Sequence, residues 1–270
     1  MSILRVEELE TSYEKLTVFR NLNLEIKEGK ITTIIGPNGC GKSTLLKTMG
    51  RILKQKSGNV YMQEQDMQKM HTKTIAKHLA LLPQSPVAPL ELKVEELISY
   101  GRYPHRNNTS KLTKEDKEMI EWALDITNVT PFREREIGNL SGGQRQKVWL
   151  AMALAQETEI LLLDEPTTYL DMAHQLDVLK IVERLNKEKA CTVVMVLHDI
   201  NHAARFSDEI IAMKEGRIMT VGEPLHIITK DVLKNVFQID ARVMIDPHNG
   251  APVCFGYEET EEIEKVLVTN

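Results

Sequence analysis

The chain has 270 residues, 42% of them hydrophobic and 27% charged. That composition excludes disorder, collagen or a coiled-coil rod as a description of the whole, and the length allows one large domain or two small ones. The net charge of −5 argues against a nucleic-acid-binding face, where a basic surface is expected.

In chain order, Ile3–Leu9 is short and β-prone, and Asn21–Ile26 alternates polar and apolar with period two. After a turn at Glu28-Gly29-Lys30, Ile31–Ile35 is apolar and β-branched, the pattern of a strand buried on both faces. A glycine-rich loop follows, then a predicted helix over Ser43–Leu53, a strand over Val60–Gln63 and an apolar stretch at Ala80–Leu82. The character changes after Pro89. Val94–Tyr100, Lys114–Ile126 and Gln144–Gln156 read as helices, with Gly101–Thr109 as a loop, so about 89–157 forms a helical insertion. Ile160–Leu163, a helix over His174–Lys189 and Thr192–Leu197 predict a right-handed parallel crossover. Ile210–Met213 and Arg217–Val221 flank Glu215-Gly216 as a hairpin. Residues 1–240 read as one domain, with 241–270 as a C-terminal hairpin and an acidic tail containing Glu258, Glu259, Glu261, Glu262 and Glu264. The longest uncharged apolar run, Val148–Ala155, is far below the ~18 residues of a membrane span. MSILRVEELE lacks the apolar core of a secretory signal. Cys40, Cys191 and Cys254 read as free thiols of a reducing compartment.

Gly36-Pro37-Asn38-Gly39-Cys40-Gly41-Lys42-Ser43 fits the phosphate-loop pattern G-x-x-x-x-G-K-[ST], with Thr44 next, between a buried strand and a helix. Glycines let backbone N–H groups turn inward, and a helix N-terminus favours an anion. Lys42 can reach the β- and γ-phosphates of a nucleotide, and the Ser43 hydroxyl can ligate Mg²⁺. The strand Ile160–Leu163 delivers Asp164 and Glu165. Successive strand residues point to opposite faces, so the two carboxylates share a site only if the strand ends there, as Pro166 favours. Asp164 would then hold the metal while Glu165 orients or deprotonates water. Cys40 opens the helix, where the dipole lowers a thiol's pKa, and an adduct on it would crowd the phosphates.

Leu140-Ser141-Gly142-Gly143-Gln144 precedes a helix and reads as a second anion-binding terminus, with Ser141 as cap. With this string the sequence resembles the ATP-binding cassette (ABC) ATPases, whose signature is LSGGQ, over nearly its full length and in the family's motif order. The resemblance implies an α/β fold: a P-loop NTPase of ABC type with a RecA-like core, an N-terminal antiparallel β subdomain and the inserted α-helical subdomain. It assigns Tyr13 to adenine stacking and Gln84 to the Q-loop and the metal. It also assigns Asp171, in Thr168-Tyr169-Leu170-Asp171, to the D-loop and His198 to the γ-phosphate. It further implies ATP and Mg²⁺ as cofactors and a peripheral place on the cytoplasmic face of the cell membrane. Its partners would be a second copy of itself, an integral-membrane permease pair and, indirectly, a substrate-binding lipoprotein. ATP would lie between Gly36–Thr44 of one copy and Ser141–Gln144 of the other.

Tyr100–His105, the Thr168-Tyr169 pair and the tail Gly222–Phe255 resemble the ATPase subunits of ferric-siderophore importers, with haem and cobalamin importers close by. Export and non-transport ABC ATPases are the competing readings. The remaining polar features, including Arg51, Lys54 and Lys56, read as solvated faces, and Trp122 and Trp149 as core.

Overall fold

The computed structural model describes residues 1–13, 16–106 and 111–259. The chain opens with strands β1 (Ser2–Tyr13), β2 (Leu16–Lys27) and β3 (Ile31–Ile35), then helix α1 (Lys42–Met49). Next come β4 (Ser57–Met62), β5 (Gln65–Asp66), α2 (Thr72–His78) and β6 (Leu79–Leu82). Helices α3 (Val94–Ser99), α4 (Lys114–Ile126) and α5 (Gly142–Ala155) follow. The remainder is β7 (Ile160–Asp164), α6 (Met172–Lys189), β8 (Thr192–Val196), α7 (Ile200–Phe206), β9 (Glu209–Lys214) and β10 (Arg217–Gly222). Two short helices, α8 (Pro224–Ile227) and α9 (Lys230–Val232), precede the hairpin β11 (Ile239–Ile245) and β12 (Pro252–Glu259).

One sheet has the order β10-β9-β3-β8-β7-β6, parallel from β9 to β6 with β10 antiparallel at its edge. A second, antiparallel sheet has the order β2-β1-β4-β5. The central strands β3, β7 and β8 are buried along their whole length and mostly apolar, because both faces of the sheet are covered there. Ile34, Ile160, Leu162, Val194 and Val196 pack with α1 and the antiparallel sheet. Their neighbours Ile31, Ile35, Leu161, Leu163, Val193 and Met195 pack with the helices of the opposite face. Period-two alternation thus divides one apolar run between two cores.

Between β6 and β7, α3, α4 and α5 pack on one another. Gly101–Thr109, expected as loop, is 3₁₀ helix as far as His105, in a turn that starts at Tyr100, and its positions 107–109 lie outside the described residues. Arg102 explains the extra order. Its side chain is buried, bonds Asp116 at 2.9 Å, the Ala155 carbonyl at 2.9 Å and Glu157 at 3.0 Å, and so joins this turn to α4 and α5. Arg51, expected on a solvated face, donates to the Met67 and Met70 carbonyls at 2.8 and 2.6 Å. It stands just past α1, which ends at Met49 with Gly50 as its C-cap, earlier than expected. The hairpin β11–β12 packs on α7, where Asn201 exchanges two hydrogen bonds with the Cys254 backbone. Ala241 and Cys254 belong to the main core. The tail positions Glu261, Glu262 and Glu264 lie outside the described residues.

Burial pushes the Asp116 carboxyl up, but the bonds from Arg102 and Thr113 outweigh it and hold it below its ordinary value. Its contribution to stability is therefore present above the usual aspartate value of about 3.9 and is lost as pH falls below that. Replacement Arg102→Ala strands a buried carboxylate and should cost about 3–5 kcal/mol. Urea unfolding at pH 7 measures it. An Arg102→Ala midpoint equal to wild type would contradict the pairing.

Candidate functional site

Parallel strands share an edge at their C-terminal ends, and in such sheets ligands bind outside that edge. Here β3 runs into Gly36–Thr44, β6 into Gln84, β7 into Asp164-Glu165 and β8 into His198. Sheet order alone therefore gathers residues spread over more than 160 positions of chain.

The phosphate loop curls between β3 and α1, with Asn38 and Gly39 exposed at its tip. Gly41 caps α1 with φ +106, a region favouring glycine, and a Cβ there would sit 2.6 Å from the Phe19 ring. Lys42 is buried, and its ammonium donates to the carbonyls of Gly36 at 2.8 Å and Pro37 at 3.0 Å. The Gly216 N–H, from the β9–β10 turn, donates to the Cys40 carbonyl at 3.0 Å and props the loop from below. Ser43 and Thr44 are half-buried in the first turn of α1.

Asp164 is the last residue of β7 and is 1% exposed. Among the described residues, neither of its carboxylate oxygens accepts a hydrogen bond. The Lys47 ammonium lies 3.3 Å from Oδ2 as an ion pair. A buried carboxylate without donors is costly unless a cation meets it. With the Ser43 hydroxyl as a second hard oxygen donor, this set fits Mg²⁺.

Glu165 turns away from the strand with φ +52, in the left-handed region. Three elements then hold its carboxylate. His198 Nε2 lies 2.7 Å from Oε1, Gln84 Nε2 donates to Oε2 at 2.5 Å, and Thr168 Oγ1 donates to Oε2 at 3.0 Å. The condition set by the sequence is met: the strand stops at Asp164, and both acids reach one edge. Neither Thr168 nor Lys47 was assigned a role from sequence. Thr168 stands three residues beyond Glu165, in the Thr-Tyr pair that already set the motif apart.

Ser141 caps α5 in a capping box, donating its N–H to Gln144 Oε1 at 3.0 Å and accepting from the Gln144 N–H at 3.2 Å. Ser141 and Gly142 are exposed, while Leu140 and Gly143 are buried. Among the described residues no hydrogen bond or ion pair joins 140–144 to the phosphate loop or to Glu165. Asp171 caps α6 and accepts from the backbone and ring of His174 at 2.9 and 2.8 Å. These bonds lower its pKa, the backbone one most. The Tyr13 side chain, expected to stack on adenine, lies outside what is described.

Cys40 corrects an expectation. Its thiol is 4% exposed beneath the loop, and burial raises its pKa more than the Lys42 charge lowers it. The helix terminus does not activate it, because the side chain points into the core rather than at the anion site. Cys191 is pushed up to about 12 by burial, and Cys254 is raised by the same cause.

A phosphate loop on a parallel sheet, with a metal-ready aspartate and a glutamate held beside it, defines a nucleotide-hydrolysing protein of the P-loop class. The particular family follows from comparison. The profile described as ABC transporter matches residues 19–168. The iron(3+)-hydroxamate import ATP-binding protein FhuC of Bacillus subtilis (strain 168) is 54% identical over 269 residues, covering 100% of both chains. The ferric enterobactin transport ATP-binding protein FepC of Escherichia coli (strain K12) is 43% identical over 250 residues, covering 93% of this chain and 92% of that one. Among solved structures, one assigned to the metal-chelate type of ABC transporter, in an inward-facing conformation, matches with TM-score 0.80 at 28% identity, over 98% of this chain and 100% of that one. The dimeric cassette MJ0796 matches with TM-score 0.73 at 28% identity, over 82% and 98%. The chain belongs to the ABC transporter family and is an ATPase of it.

With all three thiols buried, native protein at pH 7.5 should react with a maleimide at least about 100-fold more slowly than urea-unfolded protein, since thiolate fraction and access both fall. Peptide mass mapping reads which cysteine is labelled. Fast labelling of Cys40 in native protein would contradict the burial described.

Proposed function

We propose that this chain is the ATP-hydrolysing subunit of a bacterial importer of iron–siderophore complexes. Two copies would work beneath a separate integral-membrane permease pair, peripheral on the cytoplasmic face, with a binding lipoprotein delivering the cargo. The observation that carries this reading is the full-length 54% identity to an iron(3+)-hydroxamate import ATP-binding protein, with no gap in coverage on either side. Among the described residues no helix is long and apolar enough to cross a membrane, so a pathway through the bilayer would come from another chain.

In this reading the residues divide the work. Gly36–Thr44 wraps the phosphates, and Lys42 exchanges its two carbonyl partners for phosphate oxygens. Tyr13 serves the adenine. Asp164, Ser43 and the Gln84 amide oxygen hold Mg²⁺, which supplies charge neutralisation when bound. Glu165 accepts the proton of the attacking water, a role that requires its carboxylate to leave at least one present partner. His198, which already reaches Glu165, fixes the γ-phosphate side. Leu140–Gln144 and Asp171 belong to the other copy's nucleotide. The exposed Ser141 and Gly142 are consistent with that, because in one chain they meet nothing of the phosphate loop. A closed two-copy state would bind nucleotide more tightly than an open one, and that difference is what can move a permease.

Glu165→Gln keeps the size of the side chain and one acceptor oxygen but cannot take a proton, so it should lower turnover by about 10²–10⁴-fold while ATP still binds. Transport is tested in vesicles carrying the chain with its co-expressed permease, loaded with ATP and supplied with a ferric hydroxamate. Uptake that needs ATP and stops with Glu165→Gln supports the reading. Robust ATP turnover with uptake only of haem or cobalamin would replace the cargo, and outward movement would replace the direction.

A further inference from the structure

The two glycines of Ser141-Gly142-Gly143-Gln144 serve different ends. A Cβ on Gly142 would meet nothing within 4 Å. A Cβ on Gly143 would lie 2.4 Å from Cδ2 and 2.8 Å from Cγ of His174. The imidazole therefore occupies the space that a side chain at 143 would need. The same ring reaches Asp171 Oδ1 through Nδ1 at 2.8 Å. With Asp171 ionised, Nδ1 carries the proton and donates it. One ring thus rests on the first turn of α5 and holds the aspartate that caps α6.

A second contact runs in parallel. Lys147, one helical turn beyond Gly143, pairs with Asp177, nearly one turn beyond His174, at 2.7 Å. Lys147 is only 15% exposed along its side chain. The Gln175 amide also donates to the Leu170 carbonyl at 3.0 Å, which pins the segment before Asp171. Helices α5 and α6 are therefore joined at two points, the first of them where both present their N-termini. Beyond it Tyr169 and Met172 stand out, 90% and 74% exposed.

We propose that His174 is a positioning residue for ATP hydrolysis: seated on Gly143 and bonded to Asp171, it sets the signature helix and the D-loop at a fixed spacing. The two segments of one copy then approach the other copy's nucleotide as one rigid arm. This rests on the reading, given above, that the site is shared between two copies. His174 touches no reacting atom. Its effect is on geometry, and an error of about 1 Å in such geometry costs on the order of 100-fold in rate.

The test uses the full chain and measures ATP turnover, ATP affinity and the urea unfolding midpoint together. His174→Ala should lower kcat about 10-fold or more with KM changed less than about threefold, because the phosphate loop of each copy is untouched. His174→Asn places an amide N–H where Nδ1 stands and should restore most of kcat, which loss of packing alone would not allow. Gly143→Ala displaces the ring and should resemble His174→Ala. Added to His174→Ala it should cost less than about twofold more, since contacting residues are not independent. Wild-type kcat in His174→Ala, no recovery in His174→Asn, or fully multiplicative losses would each overturn the proposal. The underlying reading is checked separately by sedimentation of Glu165→Gln with MgATP. If that protein binds ATP and stays monomeric, the shared site fails whatever His174 does.

Discussion

Everything at this site depends on where β7 stops. Two adjacent acids on a continuing strand would face opposite sides of the sheet, and only one could meet the phosphate loop. Here the strand ends at Asp164, and Glu165 takes a left-handed backbone. A non-glycine residue in that region costs about 1–3 kcal/mol and persists only where its surroundings over-determine it. Gln84, Thr168 and His198 do so from the ends of three different segments. The turn converts one strand end into two carboxylates with separate surroundings. Among the described residues, Asp164 is buried with no hydrogen-bond donor, and Glu165 is held by three donors. Unequal surroundings for neighbouring acids are how one site keeps a metal ligand and a proton acceptor distinct.

The rest of the fold serves that edge. The central strands β3, β7 and β8 are buried on both faces, so their ends cannot shift in register without exposing one core or the other. The helices between β6 and β7 are tied by Arg102, whose guanidinium closes the turn after α3 onto both α4 and α5. In the proposed function this matters because α5 carries the Ser141–Gln144 terminus. The C-terminal hairpin is bound to α7, the helix that follows His198, through Asn201.

Much of this was legible in the sequence. Near-continuous apolar or β-branched runs mark β3, β7 and β8 almost to the residue, because two-sided burial leaves little room for charged positions. Helix α4 was placed at Lys114–Ile126, bounded by its Thr113 capping box. The phosphate loop and the acid pair were readable because their chemistry demands fixed spacing along the chain. What the sequence concealed depends on contacts between distant segments. The 3₁₀ turn reads as loop from Gly101 onward, because its order comes from the buried Arg102–Asp116 pair rather than from local propensity. The thiol of Cys40 was expected to be activated because a helix start was visible, whereas the direction of its side chain was not. His174 carried no motif spacing at all. Its meaning appears only when α5 lies beside α6 and leaves it facing Gly143.

The central claim is that Asp164 and Glu165 of one copy act on a nucleotide completed by Ser141–Gln144 of another. The most direct measurement is a structure of the full chain with Mg²⁺ and a non-hydrolysable ATP analogue. The account predicts a metal on Asp164 and Ser43, Glu165 facing the terminal phosphate, and the Gly142 amide of the second copy at that same phosphate. A bound nucleotide with its metal away from Asp164, or one whose terminal phosphate meets no second copy in a closed dimer, would contradict it.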